Sequence, residues 1–169
     1  MRIGLLLCLV AVACAHPGAP PGGAAGPEQL VGMWRLVEVV GVRNDGTVTT
    51  SGFGSHPTGY IVYDRSGRMA VQIARDPRPR FRDAEHPTGD EARAALDSYV
   101  AYAGTYRYDS AQRVVTHHLE LSVDPTDVGQ DWAREVSLEG DRVVLVTEPL
   151  PLATGERVRH RLTWVRVGP

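Results

Sequence analysis

The chain has 169 residues, 43% of them apolar and 22% charged, enough for one domain with its own core behind a leader. A formal net charge of −2 gives no electrostatic support to a nucleic-acid role. All 18 basic residues are arginine, which reads as codon bias, because they cluster in only one loop.

Met1 to Ala13 (MRIGLLLCLVAVA) has a single positive charge, Arg2, followed by an apolar run of signal-peptide length, too short to stay in a bilayer as a spanning helix. Two processing readings compete. Ala13-Cys14-Ala15 fits a small-x-small cleavage site, whereas Ala11-Val12-Ala13-Cys14 resembles a bacterial lipobox with Cys14 lipidated. The Pro/Gly/Ala run that follows suits a tether. Three segments are therefore expected: a signal peptide over 1–14, a flexible linker over 15–28 and a folded domain over 29–169. The expected location is outside the cytoplasm, either anchored by lipid and facing the periplasm or cell exterior, or free there. Beyond Cys14 there is no cysteine, so the domain has neither a disulfide nor a thiol catalyst.

Glu28 to Val31 is read as a helical turn and Gly32 to Val42 as the first strand, followed by a turn at Asn44-Asp45-Gly46. Thr47–Thr50 is a short strand. Gly59–Tyr63 and Arg68–Ala74 form a hairpin around Asp64-Arg65-Ser66-Gly67. Pro77 and Pro79 make Arg75–Asp83 a loop, either a solvated connector or a cationic lip around Phe81. Thr88 to Tyr102 is predicted as the one helix, with Thr88 and Glu91 as a capping box and Gly104 ending it.

Gly104 to Val123 carries two strand patterns around a turn at Asp109-Ser110. Val115, His117, Leu119, Leu121 and Val123 point one way, and Thr116, His118, Glu120 and Ser122 the other. Trp132–Glu139 and Arg142–Thr147 form another hairpin. Glu156–Val167 closes the chain, with Val158, His160, Leu162, Trp164 and Arg166 on one face. Eight or nine short strands with hairpin turns mean a sandwich or an up-and-down barrel.

Five blocks, LVGMWRLV (Leu30–Val37), PTGYIVYDRSGRMAVQ (Pro57–Gln72), YVAYAGTYRYD (Tyr99–Asp109), THHLELS (Thr116–Ser122) and RLTWVRV (Arg161–Val167), give the chain a resemblance to the lipocalin-like domain family, within the wider calycin barrels. The resemblance implies an all-β fold: an antiparallel up-and-down barrel of eight to nine strands with one inserted helix, binding a small molecule inside. It also implies that Trp34 plugs one end, with Arg166 or Arg161 packed across it. One departure is that Thr126-Asp127 follows Pro125 where the family pattern has Asn-Trp; Trp132 supplies an aromatic nearby.

Two readings of the His117-His118 strand follow. In one, His118 and Glu120, on one face about 7 Å apart, act with Arg134 on the neighbouring strand as the catalytic group of a cofactor-free isomerase, cyclase or dehydratase. In the other, they form a wet outer face and His117 turns inward as a hydrogen-bonded core or ligand-contacting histidine. The favoured function is binding of a small apolar or amphipathic molecule in the lumen, contacted by Trp34, Tyr63, Gln72, Tyr99, Tyr102, Tyr106, His117 and Trp132. No cofactor is expected, and no metal, because the histidines lack ligand spacing. The partners expected are this ligand and, if Cys14 is lipidated, a membrane at the N-terminus.

Overall fold

The computed structural model describes residues 27–152 and 154–168. The leader, Cys14 and the linker up to residue 26 lie outside the described residues. A helical turn, α1 (Pro27–Leu30), precedes the first strands, β1 (Gly32–Val42), β2 (Val48–Thr50), β3 (Thr58–Tyr63) and β4 (Arg68–Ala74). Helix α2 (Gly89–Asp97) is followed by β5 (Tyr99–Asp109), β6 (Val114–Ser122), β7 (Asp131–Glu139), β8 (Arg142–Thr147), β9 (Leu150–Pro151) and β10 (Arg157–Arg166).

Pairing is antiparallel throughout, in the order β2-β1-β3-β4-β5-β6-β7-β8-β10-β9, and β1 also pairs with β10. That last ladder, from Trp34 opposite Arg166 to Val42 opposite Arg159, closes eight strands into a barrel. β2 and β9 are short additions at its rim. Closure removes the exposed edges that an open sheet would leave.

The barrel interior follows from period-two alternation. β3 alternates exposed and buried from Thr58 to Tyr63, and β4 buries Met69, Val71 and Ile73. Two bulges interrupt the rule. Val37 has no partner in the β1–β10 register, so Trp34 and Leu36 face inward before it and Val39 after it. Glu120 has none in the β5–β6 register. A single extra residue flips the parity of the strand beyond it. Leu121, expected inside with Leu119, is therefore 70% exposed, and Val123 is exposed with it.

The helix is shorter than the sequence predicts. The capping box is present, with Thr88 Oγ1 accepting from the Glu91 N–H at 3.3 Å and Glu91 accepting from the Thr88 N–H at 2.9 Å. The helix stops at Asp97, however, because Tyr99 to Thr105 pairs residue by residue with β4. The apolar spacing at Tyr99 and Tyr102 belongs to a strand whose ladder hydrogen bonds outcompete further helical turns. Gly104 is consequently not a helix terminator but a position inside β5.

One barrel end is plugged. Trp34 is fully buried, and its indole N–H donates to the Leu30 carbonyl at 2.8 Å. Arg166 lies over the Trp34 ring, 4.0 Å from its centroid. Its guanidinium also donates to the carbonyls of Val31 and Gln29, at 2.8 Å each. Of the two arginines expected for this role, Arg166 takes it. Gly32 has φ 134°, and a Cβ there would lie 2.6 Å from Arg166 Nη1. The Gly-x-Trp spacing thus leaves room for the arginine that covers the tryptophan.

Candidate functional site

Above the plug the lumen is not filled. A cavity of about 310 Å³ opens among Ile61, Val71, Ile73, Leu145 and Leu162, with Tyr102, His117, Trp132, Arg134 and Trp164 also in its wall. Phe53 from the β2–β3 loop and Arg75, just past β4, stand at its upper edge. Among the described residues the lining contains no carboxylate.

Its polar centre is a chain of three side chains. His117 is buried, with Nε2 2.8 Å from the Tyr63 hydroxyl and Nδ1 3.0 Å from the Tyr102 hydroxyl. Burial, helped by the nearby positive charge of Arg134, lowers the His117 pKa to about 3, so the imidazole is neutral at ordinary pH. Burial likewise raises both tyrosines, Tyr63 well above its usual range; the Arg134 charge works against the rise at Tyr102. His160 is lowered by the same two causes in the same order. Tyr102, His117 and His160, the wall's ionisable groups other than its arginines among the described residues, are therefore uncharged at neutral pH.

Arg134 itself is half-buried on β7. Its guanidinium sits 5.3 Å from the Trp132 ring centroid and donates to the Ala133 carbonyl at 2.8 Å. Among the described residues it has no ion-pair partner. Trp164, 1% exposed and in the same wall, has an indole N–H with no acceptor among the described residues.

The residues expected from sequence separate into three groups. Tyr102, His117, Trp132 and Arg134 meet at the cavity. Trp34, Tyr63 and Tyr106 face inward but stand in the packed half below it; Tyr106 packs on Tyr63 with ring centroids 4.7 Å apart and donates to the Asp64 carbonyl. Gln72 and Tyr99 lie on the outer wall, the Tyr99 hydroxyl donating to Gln72 Oε1 at 2.8 Å.

The grouping of His118 and Glu120 with Arg134 is corrected by the strand parity. His118 points to solvent with its side chain 50% exposed, and its Nδ1 is 2.8 Å from Asp131. Glu120 is also outside, paired with Arg68. Arg134 sits opposite Val115, an inward position, so neither His118 nor Glu120 shares a site with it. Of the Arg75–Asp83 loop, only Arg75 reaches the cavity. Arg78 instead stacks 4.6 Å from the Tyr99 centroid on the outside, and Arg82 pairs with Glu91.

A family model described as a lipocalin-like domain matches residues 31–167. The chain belongs to this lipocalin-like domain family. No curated protein matches it. The match spans all ten strands, so plug and cavity both lie within the lipocalin-like domain.

Sequence reasoning missed Phe53, Thr147 and His160 as parts of this lipocalin-like cavity; it offered Arg75 as one arginine of a cationic lip and Trp164 as one of the pocket aromatics. His160 and Trp164 carried a usable signal, since both alternate in phase with Val158 and Leu162. Phe53 did not, because it stands in a glycine-bearing loop with no periodicity.

Proposed function

We propose that the barrel binds a small apolar or amphipathic molecule in its lumen. The observation that carries this reading is the cavity of about 310 Å³, walled by aliphatic and aromatic side chains with a few polar groups at one place. Small-molecule sites combine such an apolar wall with a few orienting groups. Trp132 and Trp164 stand in the wall, so their emission reports occupancy. Titration with a panel of apolar and amphipathic compounds is expected to quench or shift tryptophan fluorescence with saturation at one equivalent. A flat response across the panel, with native mass spectrometry also finding no adduct, overturns the reading.

The proposal includes export. It rests on the apolar run behind Arg2 and the small residues around Cys14. Loss of membrane attachment in Cys14→Ser, or accumulation of precursor under globomycin, distinguishes the lipidated from the freely secreted form. Retention of the whole chain in the cytoplasm rejects both.

A further inference from the structure

The direction of the hydrogen bonds around His117 can be worked out from satisfaction alone. Tyr63 is 1% exposed, and its hydroxyl has His117 Nε2 as its one hydrogen-bond partner among the described residues. Were Nε2 to carry the ring proton, the Tyr63 hydroxyl proton would be buried without an acceptor, at a full desolvation cost. Nε2 is therefore bare and Tyr63 donates to it. A neutral imidazole holds one ring proton, which then sits on Nδ1 and donates to the Tyr102 oxygen. The proton of the Tyr102 hydroxyl cannot return along that bond. Tyr102 lines the cavity, and its proton is left to be donated there.

This places one more donor beside Arg134, whose guanidinium has no carboxylate partner among the described residues. Trp164 stands in the same wall, its buried indole N–H without an acceptor among the described residues. Against these donors the wall offers little accepting capacity. Thr147 spends its hydroxyl on the Glu148 carbonyl and on the His160 backbone N–H, at 2.7 and 2.9 Å. Among the described residues of the wall, His160 alone keeps a ring nitrogen able to accept. A wall rich in donors and positive charge, free of carboxylates among the described residues and apolar elsewhere, selects a guest of opposite polarity.

We propose that the lumen ligand is an amphiphile bearing a carboxylate, held by the Tyr102 hydroxyl and the Arg134 guanidinium while its apolar body lies against Ile61, Val71, Ile73 and Leu162. The inference rests on the lumen-binding reading and names the ligand class for that same cavity. Charge-assisted bonds are roughly twice as strong as neutral ones, and a guanidinium matches a carboxylate in shape.

The test compares decanoate with 1-decanol on the full chain by isothermal calorimetry at pH 7.5. Decanoate is expected to bind about ten-fold tighter or more. In Arg134→Met that preference should fall to near unity, and Tyr102→Phe should weaken decanoate more than 1-decanol. A second measurement needs no variant: decanoate labelled with ¹³C at the carboxyl is titrated by NMR while bound. Its carboxyl should titrate about one pH unit or more below the free acid. Equal affinity for the two probes, or a bound carboxyl titrating at or above the free value, overturns the carboxylate assignment and leaves the lumen-binding reading standing. Failure of both probes together with the whole panel removes both.

Discussion

The Tyr63 hydroxyl lies 2.8 Å from Nε2 of His117, and the two side chains are each 1% exposed. Tyr63→Phe keeps the ring that packs on Tyr106 and removes only the donor. The bare nitrogen then loses its partner in an apolar setting, at an expected cost of about 1–3 kcal/mol. Urea denaturation of the variant checks this. Long-range ¹H–¹⁵N spectra of the parent should show His117 with its proton on Nδ1.

The same burial makes stability depend on pH. The folded pKa of His117 is about 3 against an ordinary value of 6.5, so between these values the unfolded chain binds a proton that the folded chain does not. The stability owed to neutral His117 is complete above about pH 6.5 and is lost as pH falls toward 3. His160, also lowered, adds in the same direction. Several carboxylates with lowered pKa, Asp64 and Asp124 among them, lose stability only at lower pH. The window from about pH 6.5 to 5 thus isolates the histidines, each contributing up to about 1.4 kcal/mol per pH unit. Urea melts across that window should show this fall, and His117→Gln should remove the larger part of it.

Much of this fold was legible because barrel strands speak in period two. Arg68–Ala74 and Arg142–Thr147 are predicted and observed with the same ends, and β10 shows the expected face from Val158 to Arg166. What stayed hidden depends on single-residue events. Nothing local marks Glu120 as a bulge, so Leu121 cannot be told from Leu119 by pattern. Alternation alone also cannot say which of His117 and His118 faces inward; closure of β1 on β10 decides it, far away in sequence. The cavity wall was partly readable in Tyr102, His117, Trp132 and Arg134. Its loop-borne members, Phe53 and Arg75, arrive by tertiary placement.

Arg166 is expected to matter for stability and little for binding. Its removal leaves the Val31 and Gln29 carbonyls without their donor and uncovers Trp34. Arg166→Leu should cost about 2–4 kcal/mol, since hydrogen bonds to a charged group and a cation–π contact go together. Asp141→Ala touches the same arginine through a carboxylate that is 84% exposed, and should change stability by under about 1 kcal/mol. Paired denaturation curves test the contrast.

His118 and Glu120 supply the matching negative expectation. Both sit on the outer wall in exposed polar pairs, His118 hydrogen-bonded to Asp131 and Glu120 paired with Arg68. Exposed pairs of this kind contribute about 0–1 kcal/mol. His118→Ala and Glu120→Ala should therefore leave the fluorescence response to lumen ligands unchanged and shift the melting temperature only slightly. A large loss of ligand binding in either would contradict the outward placement.

Gly104 tests the bulge that sets the parity of β6. It stands at the step in the β5–β6 register, opposite Leu119, just before the unpaired Glu120. A Cβ at Gly104 would lie 1.9 Å from the His118 carbonyl oxygen and 2.9 Å from the Glu120 nitrogen, both backbone atoms that cannot swing aside. An alanine must push β6 away or erase the bulge, and erasing it would turn His118 or Leu121 toward the wrong side. Gly104→Ala is expected to cost about 2–3 kcal/mol, in the range of overpacking a filled site. Gly89→Ala is the control, since a Cβ there meets nothing within 4 Å. It should be neutral or gain up to about 1 kcal/mol from the lower entropy of the unfolded chain. Near-equal urea midpoints for the two variants would mean that the close approach of β5 and β6 at Gly104 is not what fixes the register.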